Sequence, residues 1–258
     1  KKMTNKEIWQ IAMEQSANDL NCNASDFLEI ENCIVISKAN DLSRKYLELP
    51  FICNLVSYGT NIVASVQEEY QEIVAEYIGK YDCAHCFETP NMHILDEKLQ
   101  KYQARICFMA EYFLPDIDLL EKKKCPYPTK VLEHRDFGDL YTDSWSNALC
   151  KKRKELDVLG VGAYDKGQLI GLAACSADCD SMWQIGIDVL PQYRRQGIAS
   201  ALTSTLAMEI IKRDRVPFYC AAWSNIKSVR NAIKCGFRPA WVELTAKPQK
   251  TVDEMNGV

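Results

Sequence analysis

The sequence predicts a mixed α/β protein in which two domains follow one another along 258 residues. Three observations support this prediction. Strand-like apolar runs alternate with segments of helical periodicity along the chain. A hydrophobic fraction of 47% beside 26% charged residues is ordinary for a globular protein. The stretch Glu121–Pro128 combines a charge run with two prolines, which is typical of a domain linker.

A smaller mixed α/β domain is therefore expected over residues 1–124. It opens with a helix from about Thr4 to Leu20, whose apolar residues return at helical spacing. Short β-rich runs and two further amphipathic stretches follow. The predicted strands are residues 33–36, 51–56, 61–66 and 106–113, and the predicted helices are residues 67–78 and 91–103.

The second domain is expected over residues 125–258, again with strands and helices in a mixed order. Asp165-Lys166-Gly167 is typical of a hairpin turn between two strands. A long amphipathic helix carries apolar residues from Ile198 to Ile211 on one face. The predicted strands are residues 130–134, 158–164, 169–176, 182–189, 217–222 and 241–244, and the other helices are residues 139–152 and 226–234.

Composition argues against several classes of function. No apolar run approaches the roughly 18 residues of a membrane span, and the N-terminal segment lacks the apolar stretch of a signal peptide. The twelve cysteines are expected to be reduced thiols in a cytoplasmic protein. Residues 125–258 carry 18 basic against 15 acidic groups, an excess too small for nucleic acid. We expect neither a nucleic-acid nor a membrane partner.

The segment from Asp188 to Ala199 lies between a predicted strand and the long helix. Unpaired amides and the helix dipole at such a junction favour an anion, for example a diphosphate. Gly197 lets the backbone approach a ligand closely, and the small residues Ala199 and Ser200 keep the first helical turn open. The alternative is an ordinary strand-turn-helix whose glycine serves only the turn.

Arg194, Gly197 and Ala199 match a pattern of Arg or Gln, two variable residues, Gly, one variable residue, then Gly or Ala. With Ile187-Asp188-Val189 before it and Cys235-Gly236-Phe237 downstream, the segment resembles the signature of the GNAT N-acetyltransferase superfamily. The resemblance covers about residues 127–245. The first half is similar to an N-terminal extension of some bacterial members.

The resemblance implies a GNAT acyl-CoA acyltransferase fold, acetyl-CoA (coenzyme A) as cofactor, and an amine of a small molecule or peptide as acceptor. The strand before the loop is expected to splay from its neighbour, so that Ile187, Asp188 and Val189 pair with the pantetheine arm. Asn225 has two possible roles: the resemblance implies that it holds the pantetheine side of the cofactor, and its position before a predicted helix suits an N-cap. The residues expected to hold the cofactor are Ile187, Val189, Arg194, Arg195, Gln196, Gly197, Ile198, Ala199, Ser200, Asn225 and Ser228.

The groups that move protons are less evident. Ala232 stands where many family members have a Tyr that protonates the leaving sulfur, and Trp183 and Ile185 occupy positions of the usual base. Asp188 is the candidate base and Cys220 the candidate proton donor. A local capping role for Asp188 is an equal alternative. The missing groups make a non-catalytic acyl-CoA binding or sensing module the principal rival.

Two other features bear on function. Cys83 and Cys86, with His93 nearby, have the spacing of a metal or redox site, but a second such pair is absent. No metal is therefore expected, and a metal-dependent regulator is a third interpretation. Only residues 135–157 separate the first two strands of the second domain. We expect the N-terminal domain to shape the acceptor side in place of the missing helices.

Overall fold

The structure is a computed structural model that describes residues 3–258. Its packing divides the chain into two compact units. The first contains the chain up to Ala12 together with Phe113–Pro239, and the second contains Met13–Tyr112 and Ala240–Val258. The chain passes between the units inside one helix and two long strands, where the sequence has no change of composition. This division differs from the boundary at residue 124 expected from the linker.

The regular elements alternate along both units, as a mixed α/β fold requires. The helices are α1 (Asn5–Leu20), α2 (Gln71–Lys80), α3 (Thr89–Gln100), α4 (Ile198–Ile211), α5 (Ile226–Lys234) and α6 (Gln249–Asn256). The strands are β1 (Cys33–Ile36), β2 (Cys53–Ser57), β3 (Val63–Val66), β4 (Ala104–Pro115), β5 (Thr129–Glu133), β6 (Asp157–Asp165), β7 (Gln168–Ser176), β8 (Met182–Val189), β9 (Val216–Ala221) and β10 (Phe237–Pro248). None of the helices described between residues 3 and 258 has the length and apolarity needed to span a bilayer.

The unit of residues 13–112 and 240–258 is built on a mixed sheet. Strand β1 runs parallel to β3, β3 is antiparallel to β2, and β2 is antiparallel to β10. Both inward and outward residues of β2 and β3 are buried, which explains why their sequences read as continuous apolar runs. Leu55, Ala64, Val74, Leu95 and Leu244 belong to one core.

The unit of residues 113–239 contains the antiparallel ladder β5-β6-β7-β8, followed by β9 parallel to β8. The predicted hairpin turn is confirmed: Lys166 and Gly167 both have positive φ between paired Asp165 and Gln168. Helices α4 and α5 cover one face of this sheet, where Ile198, Leu202 and Ala232 join the main core. A second cluster, around Phe137 and Trp145, includes Leu172 and Ala174 of β7.

The predicted helix over residues 139–152 is wrong. The segment forms only short 3₁₀ turns, and Cys150 and Arg153 have non-helical backbone angles. Thr142, Asp143, Ser144, Ser146 and Asn147 are residues whose side chains compete with the helical backbone for hydrogen bonds, which explains the difference. Helix α6 was not predicted at all.

Asp157, at the start of β6, anchors both ends of this irregular segment. Its Oδ2 accepts hydrogen bonds from the Tyr141 hydroxyl (3.1 Å) and the Cys150 amide (2.9 Å). Its Oδ1 is buried without a hydrogen-bond partner. Burial raises the pKa of Asp157 from 3.8 to about 6, and the neighbouring carboxylate of Asp178 adds to that rise. The charged form of Asp157 is therefore costly in the folded protein.

Asp157→Asn is expected to stabilise the protein at pH 7.5 and not at pH 4. Because the folded-state pKa is the higher one, the stability linked to this group is present below pH 3.8 and lost as pH rises through about 6. The variant should gain on the order of 1 to 2 kcal/mol in the free energy of unfolding at pH 7.5. Urea unfolding at both pH values measures this, with the exposed Asp139→Asn as control. An equal effect of Asp157→Asn at both pH values would contradict the assignment.

A fragment of residues 125–258 is expected to be poorly soluble. The fragment keeps β10 but loses β2, which pairs with Val242–Ala246 of β10 in the whole chain. An unpaired strand edge with the apolar residues Leu244 and Ala246 exposed promotes aggregation. Size-exclusion chromatography beside the full chain measures this. A monomeric, soluble fragment would show that the two halves are independent modules.

Candidate active site

The candidate site begins where two parallel strands part. Strands β8 and β9 pair only from Met182–Gln184 with Val216–Phe218. Beyond these pairs β8 continues to Val189 and β9 to Ala221. On its other side β8 stays in continuous register with β7 up to Val189. Beyond Gln184 and Phe218 the two strands are not paired, and we call the gap on the β9 side of β8 the cleft.

The loop from β8 leads into the N-terminus of α4 beside this cleft. Gly197 caps α4 in a left-handed conformation (φ 83°), and Arg195 also has a positive φ of 65°. The first backbone bond of the helix runs from the Ala201 amide to the Gly197 carbonyl, so the amides of residues 198–200 precede the helical ladder. A Cβ built on Gly197 meets no atom within 4 Å. There is thus open space at Gly197 beside the start of α4, where amides outside the helical ladder suit an anion.

Side chains around the loop hold it in this shape. Arg194 donates from Nε to the Val189 carbonyl (2.9 Å). The Tyr193 hydroxyl donates to Asp165 (2.9 Å). Gln196 accepts from the Tyr127 hydroxyl (2.8 Å). Arg195 is exposed and adds a second positive charge to the loop. The loop is thus preorganised and carries two arginines beside the unpaired amides.

Two of the predicted cofactor residues, Ile198 and Ser200, can offer a ligand their backbone amides but not their side chains. The Ile198 side chain is 1% exposed and lies in the core. The Ser200 hydroxyl is turned back to the Gly197 carbonyl (3.1 Å). Ile187 and Val189 pack on the same core from β8.

Asp188 lies on the other face of β8 and binds the irregular segment of residues 134–156. Its carboxylate accepts from the amides of Asn147 and Ala148 (2.9 Å each) and from Asn147 Nδ2 (2.7 Å). A Cβ at Gly186 would lie 1.9 Å from the Asn147 carbonyl oxygen. Gly186 and Asp188 therefore dock this segment on β8 at the cleft. No sequence pattern indicates Asn147, which is 41 residues from Asp188.

A polar network that sequence reasoning missed joins β9 to α5. The Tyr219 and Ser228 hydroxyls are 2.7 Å apart. Tyr219 is 2% exposed, and burial raises the pKa of its phenol, which keeps it protonated. Asn231 continues the network to Thr203 of α4 (3.1 Å). The sequence feature that could have indicated Tyr219 is the alternation of side chains along a strand. Tyr219 and Cys220 lie on opposite faces of β9, and Tyr219 is on the face toward α5.

The remaining predicted residues lie around β9 and α5. The Asn225 side chain accepts from the Ser228 amide at 3.4 Å, so it acts as the N-cap of α5. Cys220 is half-buried on the face of β9 away from α5. Ala232 is fully buried in the core. The structure thus brings Ser228 to Tyr219 and puts Cys220 on the opposite face of the same strand.

The thiols of Cys83 and Cys86, which have the spacing of a metal or redox site, contact neighbouring residues of the chain. Cys83 Sγ lies 3.0 Å from the Ser57 hydroxyl, and Cys86 is buried with its thiol toward the Tyr81 carbonyl. Over the described residues 3–258, no group of three or more His, Cys, Asp or Glu side chains is arranged to hold a metal ion. All twelve cysteines are thiols.

Comparison with protein families gives one match. The family model of the GNAT acetyltransferases matches residues 61–240, which is more than half of the chain and includes the β8-α4 loop, β9 and α5. Comparison with curated proteins finds no match.

The solved structures to which this chain is similar are distant in sequence. A GCN5-related N-acetyltransferase from Sphaerobacter thermophilus is 14% identical with a TM-score of 0.46, over 73% of this chain and 72% of that one. A GCN5-related N-acetyltransferase-like protein from Streptococcus suis is 17% identical with a TM-score of 0.42, over 73% and 72%. A GNAT acetyltransferase from Colwellia psychrerythraea is 16% identical with a TM-score of 0.42, over 56% and 57%, so this chain spans less than two thirds of it.

Proposed function

Because the chain belongs to the GNAT acetyltransferase family, we propose that it transfers an acetyl group from acetyl-CoA to an amine of a small molecule or peptide. Membership in this family supports acyl transfer as the class of reaction. The acetyl donor, the amine acceptor and the residues that act on them are the proposal. The observation that carries it is the cleft between β8 and β9 beside the open N-terminus of α4.

The chain fits acetyl-CoA at this place. The unpaired amides of residues 198–200 and the guanidinium groups of Arg194 and Arg195 suit a diphosphate. The edge of β8 from Ile187 to Val189 lacks its β9 neighbour and suits the amide-containing pantetheine arm as an added strand. Asn225 caps α5 shortly after β9, and Ser228 contacts Tyr219 of β9, so both are candidates for the pantetheine side. When bound, acetyl-CoA supplies an acetyl group activated as a thioester.

On the acceptor side, we assign the carboxylate that contacts the incoming amine to Asp188. Three N–H donors already use most of the roughly four acceptor positions of a carboxylate. One position remains for an N–H of the incoming amine, directly or through a water. Asp188 thereby orients the amine, accepts its proton as the base, and keeps residues 147–148 on β8. Orientation of this kind is a main source of rate enhancement in transfers between two bound reactants.

The proton for the departing sulfur has two candidate sources on β9. Cys220 faces away from α5, and Tyr219 reaches Ser228 on the α5 side. We keep Cys220 as the donor because it lies on the same side of the sheet as Asp188. Tyr219 is the second candidate, because its raised pKa keeps the proton available.

The rival function is an acyl-CoA binding or sensing module. The observation that favours it is Ala232, which is buried in the core where many family members have the Tyr acid. Both functions require the same cleft for the cofactor. They differ in whether CoA is released when an amine is added.

Amine-dependent release of CoA tests the proposal. The twelve thiols of the protein would react with thiol reagents, so CoA should be measured by chromatography, over a panel of small amines and peptide N-termini. We expect release that depends on both the protein and at least one amine, and that is lost in Gly197→Glu. Binding of acetyl-CoA with no release above the amine-free rate for any acceptor would support the sensing module.

We further expect the protein in the cytoplasm, because thiols rather than disulfides suit a reducing compartment. The acceptor is the only partner that we propose.

A further inference from the structure

A cavity of about 640 Å³ lies within the unit of residues 13–112 and 240–258. Its wall is formed by β4, β10, α6 and the segment of residues 46–52. The lining is rich in aromatic rings: Tyr46, Phe51, Tyr70, Phe108 and Tyr112. A cavity of this size and character suits a small organic ligand with an apolar body.

One buried carboxylate lines this aromatic cavity. Glu243 is 2% exposed, and its Oε1 accepts from Arg44 Nη2 (2.7 Å) and from Trp241 Nε1 (2.8 Å). Its Oε2 has no hydrogen bond to the part of the chain that the structure describes. Because a buried carboxylate gains from every donor it can reach, Oε2 is an acceptor available to a ligand.

The charges around Glu243 do not balance. Arg44 is the one cation between two carboxylates, with its Nε 2.5 Å from Asp19 and its Nη2 on Glu243. Burial raises the pKa of Asp19, while Arg44 opposes that rise, and the oxygens of Asp19 accept from Gln15 and twice from Arg44. At the rim, Glu48 and Lys247 pair with each other at 3.0 Å. With both carboxylates ionised, Arg44 compensates one of the two negative charges, and Glu243 is the carboxylate that lines the cavity.

We propose that this cavity binds a small organic ammonium ion with an apolar body, whose charged nitrogen contacts Glu243 Oε2 and whose body packs on the aromatic rings. A cation here compensates a charge that the fold leaves buried, where the low dielectric strengthens the attraction. Aromatic faces add to the binding of organic cations. The site uses only residues of this unit and does not depend on acetyl transfer.

The test compares 2-phenylethylamine, which is an ammonium ion at pH 7, with the neutral 2-phenylethanol. Calorimetric titration of the full chain, without acetyl-CoA, should give an affinity for the amine about tenfold or more above that for the alcohol. Glu243→Gln keeps the shape of the side chain and should reduce this preference to less than about threefold. Glu48→Gln removes the paired carboxylate at the rim and should leave the preference within about twofold.

A further variant identifies the cavity itself. The Phe108 ring is 44% exposed at the wall, so Phe108→Ala should fold and weaken both ligands alike. Equal affinities for amine and alcohol in the natural chain, no binding of the amine, or an amine preference that survives Glu243→Gln would each overturn the proposal. CoA affinity, measured on the same variants, should stay unchanged, which separates this site from the proposed transferase cleft.

Discussion

Replacing Gly197 by Glu is expected to lower the affinity of the protein for CoA by at least about 100-fold. Unit charges about 5 Å apart repel by about 3 kcal/mol at an effective dielectric constant of about 20, which corresponds to this loss. The new carboxylate would extend into the open space beside the α4 amides, where we place the diphosphate. Isothermal titration of CoA into both proteins measures the change.

Gly197→Asn is the matched control. Gly197 has a φ of 83°, and Asn tolerates such a left-handed backbone better than other side chains. The Asn side chain adds bulk without charge, so Gly197→Asn should bind CoA about tenfold more tightly than Gly197→Glu does. If Gly197→Glu is folded and binds CoA as the natural protein does, the diphosphate is not at the N-terminus of α4.

Changes at Asp188 and Cys220 are expected to lower kcat by about 100-fold or more while altering CoA affinity much less. General acid or base assistance is usually worth about 10²- to 10⁴-fold. Asp188→Asn replaces one acceptor oxygen by an NH₂ group that meets the amides of residues 147–148. Cys220→Ala removes the thiol, and Cys220→Ser restores a hydroxyl donor. Steady-state kinetics with the best amine gives kcat and KM for each variant.

Two further variants make this experiment decisive. Asp214→Asn changes an exposed carboxylate at the opposite end of α4 and should leave kcat unchanged. Tyr219→Phe removes the hydroxyl that contacts Ser228. If Tyr219→Phe loses about 100-fold in kcat and Cys220→Ala only a few-fold, the proton comes from Tyr219. Losses of only a few-fold in all of these variants would mean that positioning alone drives the reaction.

Elements with strong local signals could be predicted from the sequence. Strand β8 and helix α5 begin and end at the predicted residues, because apolar periodicity and nearby Gly, Pro and Asn residues mark them. The loop before α4 could be predicted for the same reason, since its pattern is contained within a few residues. The predicted helix over residues 139–152 failed because tertiary contacts, chiefly those of Asn147 with Asp188, outweigh its helical spacing.

The rest depends on pairs that are far apart in sequence. Asn147 meets Asp188 across 41 residues, and Arg44 meets Glu243 across 199. No local pattern indicates either contact, because each partner reads as an ordinary polar residue. The two packing units likewise depend on contacts distant in sequence, since the chain passes between them inside α1, β4 and β10. Polar residues at the cleft could therefore be predicted by type but not by partner.

A crystal structure of the protein with bound CoA tests the central claim most directly. The account predicts diphosphate oxygens at about 2.7 to 3.2 Å from the amides of residues 198–200. It also predicts the pantetheine arm alongside Ile187–Val189, in the cleft where β8 leaves β9. A CoA molecule bound elsewhere, with this cleft empty, would contradict the account.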